Sequence, residues 1–261
     1  MAIAMTGENP FEAPAAEPDG QGRIAALALS LAERRLGYGE LYAGAFYLLG
    51  AKKELFLDAA LGVVPILTLL EWMGTRQAAL QVVAGIAQTL IGFALTLYLA
   101  TAVNGVIHSR PASAATYLSE SLSRFGSALF AGLIAGAHIV IGLILFVVPG
   151  LVLFVRRSFT VYAVVIDQQA GLDAVRRGDS VVRGSSWYVA GIMTINGVLA
   201  GVLTAGPLLL REVAAVPYVV ILVCYAVSAL VPFLTDTVFT LSYLNLRALQ
   251  DRVQPLAPRQ E

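Results

Sequence analysis

The chain has 261 residues, of which 58% are hydrophobic and only 13% charged; its formal net charge is zero and its mean hydropathy is +0.77. Soluble domains carry about 25% charge, so this composition leaves too little polar surface for a water-borne particle of this size and points to a bilayer as solvent. The balanced charge gives no hint of a nucleic-acid partner, and none is expected; the lone cysteine, Cys224, excludes an internal disulfide or a cysteine-only metal site.

Residues 6–22, TGENPFEAPAAEPDGQG, are acidic and rich in Pro, Gly and Ala. They lack the basic start and apolar core of a signal peptide, and residues 1–25 are expected to form a disordered tail. Residues 36–51 are apolar but short, and basic pairs flank them: Arg34-Arg35 before, Lys52-Lys53 after. Spanning would carry one pair across, so the segment is expected to lie in the membrane interface.

The spans are expected to be helices, because hydrocarbon leaves no partner for an unpaired backbone amide and no segment alternates as a barrel strand does. The first covers 55–73, with Pro65 within it, and the second 77–107. A short segment, 113–124, leads into a third span over about 126–147. Pro149-Gly150 is expected to turn the chain there, and the fourth span starts near Leu151. It carries Arg156 and Arg157, each costing about 2.5–3.5 kcal/mol at a helix centre. At 1.5 Å per residue they lie roughly 10 Å from the Pro-Gly turn, within snorkelling reach of the outer face. Residues 171–183 lead into a fifth span over 184–210. The sixth runs from near Ala215 past Asp236 to about Leu246, and 250–261 form a second tail. The membrane domain is thus expected over 26–249.

With both termini on one side, thirteen Lys and Arg fall on that side (Arg177 and Arg247 among them) against Arg76 and Arg211 on the other. That asymmetry puts both termini in the cytoplasm. The short segments at 36–51, 113–124 and 171–183 each precede an odd-numbered span. The fold class is therefore an all-α membrane protein: six transmembrane helices, three cytoplasmic interfacial helices, and a threefold repeat of interfacial helix plus hairpin.

Residues 145–191 carry Pro149-Gly150 between spans, an arginine one or two turns later, and Asp167 closing the span. Ala174 follows on a cytoplasmic helix, then Gly184 and Trp187 at the start of the next span. This pattern resembles the six-helix membrane domain attached to some glycerophosphodiester phosphodiesterases and related uncharacterised bacterial inner-membrane proteins. The leader ENPFEAPAA is similar as well. Gly178 departs from the pattern, where a serine is expected, and the tails are too short for a phosphodiesterase domain. The resemblance implies a fold and an inner-membrane address, and no catalytic residues.

The site candidates are polar residues inside spans. Arg156 and Arg157 read either as a site for an anionic headgroup or substrate, or as snorkelling cations paired with Glu71, Glu212 or Asp236. Asp236 reads as a proton-relay carboxylate or a structural contact. His138 and Asn196 read as lining a central polar site, or as making single interhelical hydrogen bonds. Arg176, Arg177 and Arg183 are expected to attract anionic lipid. Glycines 132, 136, 142, 191, 197 and 201 read as close-packing positions. No GxSxG, HExxH or phosphate-binding loop occurs, and His108 and His138 differ too much in depth to share a metal. The expectation is a non-enzymatic protein without cofactor, with membrane lipids, a second copy or a membrane protein as partners. The rival is a small transporter or lipid translocator with a central polar site.

Overall fold

The computed structural model describes residues 20–74, 78–110, 112–212 and 218–253. Every element among them is a helix: α1 (Gly20–Glu33), α2 (Tyr38–Ala51), α3 (Lys53–Gly74), α4 (Ala78–Ile107), α5 (Ala114–Ser123), α6 (Phe125–Leu145), α7 (Val147–Arg157), α8 (Thr160–Ile166), α9 (Gly171–Val182), α10 (Ser186–Glu212) and α11 (Tyr218–Val253). Four stretches are long and apolar enough to cross a membrane: Leu80–Ile107, Phe125–Leu145, Val147–Ile166 and Ser186–Leu203. The segments expected as the other two spans lie within the helices α3 and α11, with Pro65 and Pro232 inside continuous helices. The expectations for residues 1–19 and 254–261 and for the side chains of Glu71, Glu212 and Cys224 lie outside the described residues.

Burial is uneven along the helices. One end of the bundle, the base, is densely packed by Leu97–Val103 of α4, by α8 with every residue but Val161 buried, and by Phe233–Leu246 of α11. The far halves of α3, α4, α6, α7 and α10 expose large apolar side chains such as Leu61, Val83, Ile144, Val152 and Val198. An apolar belt of that extent is unstable against water and matches a hydrocarbon solvent.

Three features depart from the sequence reading. The first is α1, which begins at Gly20 inside the expected 1–25 tail. Ile24, Leu27 and Leu31 recur at helical spacing and are buried against the base. Its end is held by Asn245 of α11, a fully buried side chain. Asn245 Nδ2 donates to the carbonyls of Leu31 (2.8 Å) and Arg34 (2.7 Å), and its Oδ1 accepts from Leu36 N at 3.1 Å. One amide thus satisfies two carbonyls that a helix terminus leaves without partners.

The second concerns Pro149-Gly150. The chain turns at Phe146, the single extended residue between α6 and α7, and Pro149 and Gly150 lie in the first turn of α7. Proline fits there because the amides of a first turn have no intrahelical acceptor. Gly150 lets the two helices close: a Cβ on it would sit 2.6 Å from Leu143 N.

The third is the fourth expected span, which breaks at Ser158 and Phe159 into α7 and α8. α9 then folds back along α8, so it is a packed element with one exposed face. Ala174, Val175, Val181 and Val182 are buried. Gly178 meets the break so closely that a Cβ would lie 2.8 Å from Thr160 N. The serine expected at 178 would force these backbones apart.

Replacing Asn245 with Ala removes three hydrogen bonds, each worth about 1 kcal/mol or more where a buried group is left unpaired. We expect Asn245→Ala to lower the thermal midpoint of detergent-solubilised protein by several degrees, and limited proteolysis to cut first near the α1–α2 junction.

Candidate functional site

The base is organised around Asp167, which caps α8 and whose side chain is 6% exposed. Three side chains converge on it. Arg177 of α9 donates from Nε to Oδ2 at 2.6 Å, and Tyr243 of α11 donates its hydroxyl to the same oxygen at 2.7 Å. Arg247 of α11 brings Nε to 2.8 Å from Oδ1, a charge contact whose N–H is not aligned on that oxygen. Asp251 completes the group, 2.9 Å from Arg177 Nη2 and 3.6 Å from Arg247 Nε. Burial opposes the positive charge of Arg177, but hydrogen bonds to Asp167 and Asp251 outweigh it and hold the guanidinium above its ordinary pKa. Two arginines against two aspartates leave the cluster neutral. An aromatic group of Phe159, Tyr162, Phe239 and Tyr243 seals it from the apolar side, with Phe159 edge-on to the other three.

The fold-back of α9 decides the fate of the two neighbouring arginines. Arg156 Nε lies 2.8 Å from Asp179 Oδ1, and Nη2 donates to Oδ2 at 3.1 Å. Its partner among the described residues is therefore Asp179 of α9 rather than Asp236, while the alternatives Glu71 and Glu212 lie outside the described side chains. Adjacent helical positions point about 100° apart, and Arg157 takes a separate direction. Among the described residues its Nε and Nη1 are buried without a hydrogen-bond partner.

The remaining candidates make separate contacts. Asp236 accepts from Thr96 of α4 at 2.9 Å. Asn196 accepts from Tyr42 of α2 at 2.5 Å, while its Nδ2 is buried with no hydrogen-bond partner among the described residues. His138 is exposed, its Nδ1 2.7 Å from Ile134 O one turn back on its own helix. Among the described residues each of these side chains that has a partner pairs with a different neighbour, and no hydrogen bond or ion pair joins Arg156, Arg157, Asp236, His138 and Asn196 to one another.

The resemblance motif takes up structural positions. Asp167 is the charge hub, Ala174 is fully buried, and Gly184 adopts φ +82, where a side chain is strained. Trp187 is 91% exposed at the start of α10. Arg177, expected to face anionic lipid, is committed to Asp167 and Asp251. Arg176 and Arg183 stay on the surface, beside Asp173 and Asp179.

Sequence reasoning missed the cluster as a unit. Arg247 and Asp251 stand four residues apart on one helix face, a readable sign of a charged patch. The domain limit at 249, however, consigned Asp251 to a tail. No family model matches the chain, and neither a curated protein nor a solved structure matches it.

Removing one member of a buried charge group strands its partners, at a cost of about 3–5 kcal/mol. Asp167→Asn leaves Arg177 and Arg247 facing each other across a neutral amide. We expect that variant to accumulate poorly and to melt well below the parent in detergent, whereas Asp173→Asn, on the exposed face of α9, melts with it.

Proposed function

We propose that this chain is a non-catalytic multi-pass protein of a bacterial inner membrane, acting as a structural component in envelope lipid handling or in the assembly of a membrane complex. Its six long helical segments enter the bilayer as three hairpins: α3–α4, α6 with α7–α8, and α10–α11. A short helix leads into each hairpin (α2, α5 and α9), amphipathic in α5 and α9 and mostly apolar in α2, and we read these three pairings as the threefold unit suggested by the sequence. Both ends of the described chain meet at the base, where Arg252 Nη1 donates to Glu33 O of α1 at 3.5 Å. With the Lys and Arg asymmetry, that common end is the cytoplasmic one.

The observation that carries the structural reading is that the intramembrane polar groups pair with separate protein neighbours. A transporter needs polar side chains converging on a shared cavity near the bilayer midplane. Here Arg156, Asp236 and Asn196 each meet a single protein partner on a different helix. Interhelical hydrogen bonds of this kind contribute about 0.6 kcal/mol each on average and fix helix register. The resemblance to the membrane domains of glycerophosphodiester phosphodiesterases fits the same reading, a membrane scaffold without chemistry of its own. The unpaired nitrogens of Arg157 are what favour the second reading, an anion-handling translocator.

The two readings part at Asp236. Asparagine keeps the acceptor for Thr96 and removes the titratable charge. In a deletion strain with a measurable growth or lipid-composition defect, Asp236→Asn is expected to accumulate normally and to restore both to parental values. Normal accumulation with failed complementation contradicts the structural reading and supports a coupling carboxylate.

A further inference from the structure

The three hairpins differ at their tips. In sequence, Glu71 in the last turn of α3 precedes Thr75, Arg76 and Gln77 of the α3–α4 connection, and α10 ends in Arg211 and Glu212. The α6–α7 tip has no polar side chain at all from Ile139 to Val155. Ile144, Leu145, Phe146, Val147 and Val148 are 64–78% exposed around the turn. A tip emerging on the far side of a bilayer would press these side chains into headgroups and water.

The level at which this hairpin meets the headgroups can be read from its neighbours. Arg156 is held by Asp179 of α9. On its outer face α9 shows Asp173, Arg176 and Arg183, whose side chains are 71%, 77% and 74% exposed. Such a face belongs in water or among headgroups, and Trp187, just beyond it, is a residue type that concentrates at that boundary. The plane through Arg156, Asp179 and Trp187 is therefore an interface. From Arg156 to Phe146 is about ten residues, or roughly 15 Å at the helical rise, half of the ~30 Å hydrocarbon core. By contrast α10 continues about 25 residues past Trp187, roughly 37 Å, which is enough to cross. Phe125–Leu145 and Val147–Ile166 are long enough to span, but their proximal halves are used up in the base. Ala128, Ala131 and Ala135 of α6 and every residue of α8 except Val161 are buried there. His138, about eight residues from the tip, falls near the headgroup edge by the same measure, where its exposed ring can be hydrated.

We propose that the α6–α7 hairpin is a wedge in a single leaflet, its tip at Phe146–Val148 ending among acyl chains near the bilayer midplane. This deepens the membrane reading above and rests on it: six helices enter the bilayer and four cross. The occupant of the exposed hairpin faces is lipid. The wedge displaces acyl chains on the cytoplasmic side only, as a protein that loads one leaflet asymmetrically would.

The test uses the full chain with Cys224→Ala, carrying a nitroxide at Val147→Cys and separately at Ile144→Cys, both exposed positions, in phosphatidylglycerol–phosphatidylethanolamine proteoliposomes. Power-saturation depth measurements are expected to put both labels within about 5 Å of the bilayer centre, and an impermeant maleimide is expected to reach Val147→Cys from neither side. A label about 15 Å from the centre, at the far headgroups, or modification from the far side overturns the wedge. Gly74→Cys at the end of α3 reports the wider membrane reading separately. Its label is expected in the far aqueous phase, and failure there removes the crossing frame rather than the wedge alone.

Discussion

A carboxylate sealed beneath three helices has to be matched by cations at fixed positions, and that requirement at Asp167 sets the arrangement of the base. Arg177 arrives from α9 and Arg247 from α11, while Tyr243 and Asp251 supply the remaining contacts. Desolvating these charges costs several kcal/mol apiece, so the cluster adds little net stability. What it adds is position, because a register shift in α8, α9 or α11 would strand a charge in an apolar core. The aromatic group around Phe159 then fills the space that the correctly placed backbones leave.

The consequences run outward from there. Pinning Arg177 to Asp167 folds α9 back along α8, and Gly178 allows the two backbones to touch at the α7–α8 break. One residue further on, Asp179 reaches Arg156. An arginine pair that looks costly inside a uniform span thus stands at the end of a packed, charged layer, with one member neutralised. The same fold-back gives α9 its amphipathic character, apolar toward α8 and charged toward the surface. Beyond that layer the helices present almost nothing but hydrocarbon.

Much of this was legible in the sequence, and the illegible parts share a cause. Charge-free runs mark α4, α6 and α10 because lipid-exposed helices need apolar side chains on every face. The short helices α5 and α9 show in their amphipathic spacing, and Ser113 caps α5 by accepting from Thr116 N. Hydropathy alone does not separate a helix that is apolar for packing from one that is apolar for lipid. TVYAVVI of α8 reads as half a span, yet nearly every side chain in it is buried in protein. α1 was lost to the composition of the residues before it, although Ile24, Leu27 and Leu31 carried the period. Contacts such as Asn245 with Leu31 or Arg247 with Asp167 join residues far apart in the chain, and no local pattern announces them. For the site candidates, residue type suggested function, and only geometry revealed that Asp236, Asn196 and Arg156 face different partners.

Hydrogen exchange on protein in lipid nanodiscs bears most directly on the claim that the Asp167 cluster makes α8, α9 and the basal part of α11 one cooperative unit. In the parent these three segments should share one slow exchange class, and Asp167→Asn should accelerate all three together while leaving the far half of α4 unchanged. Acceleration confined to α9, with α8 and residues 238–246 still protected, would show that the base holds without its buried charges and would contradict the account.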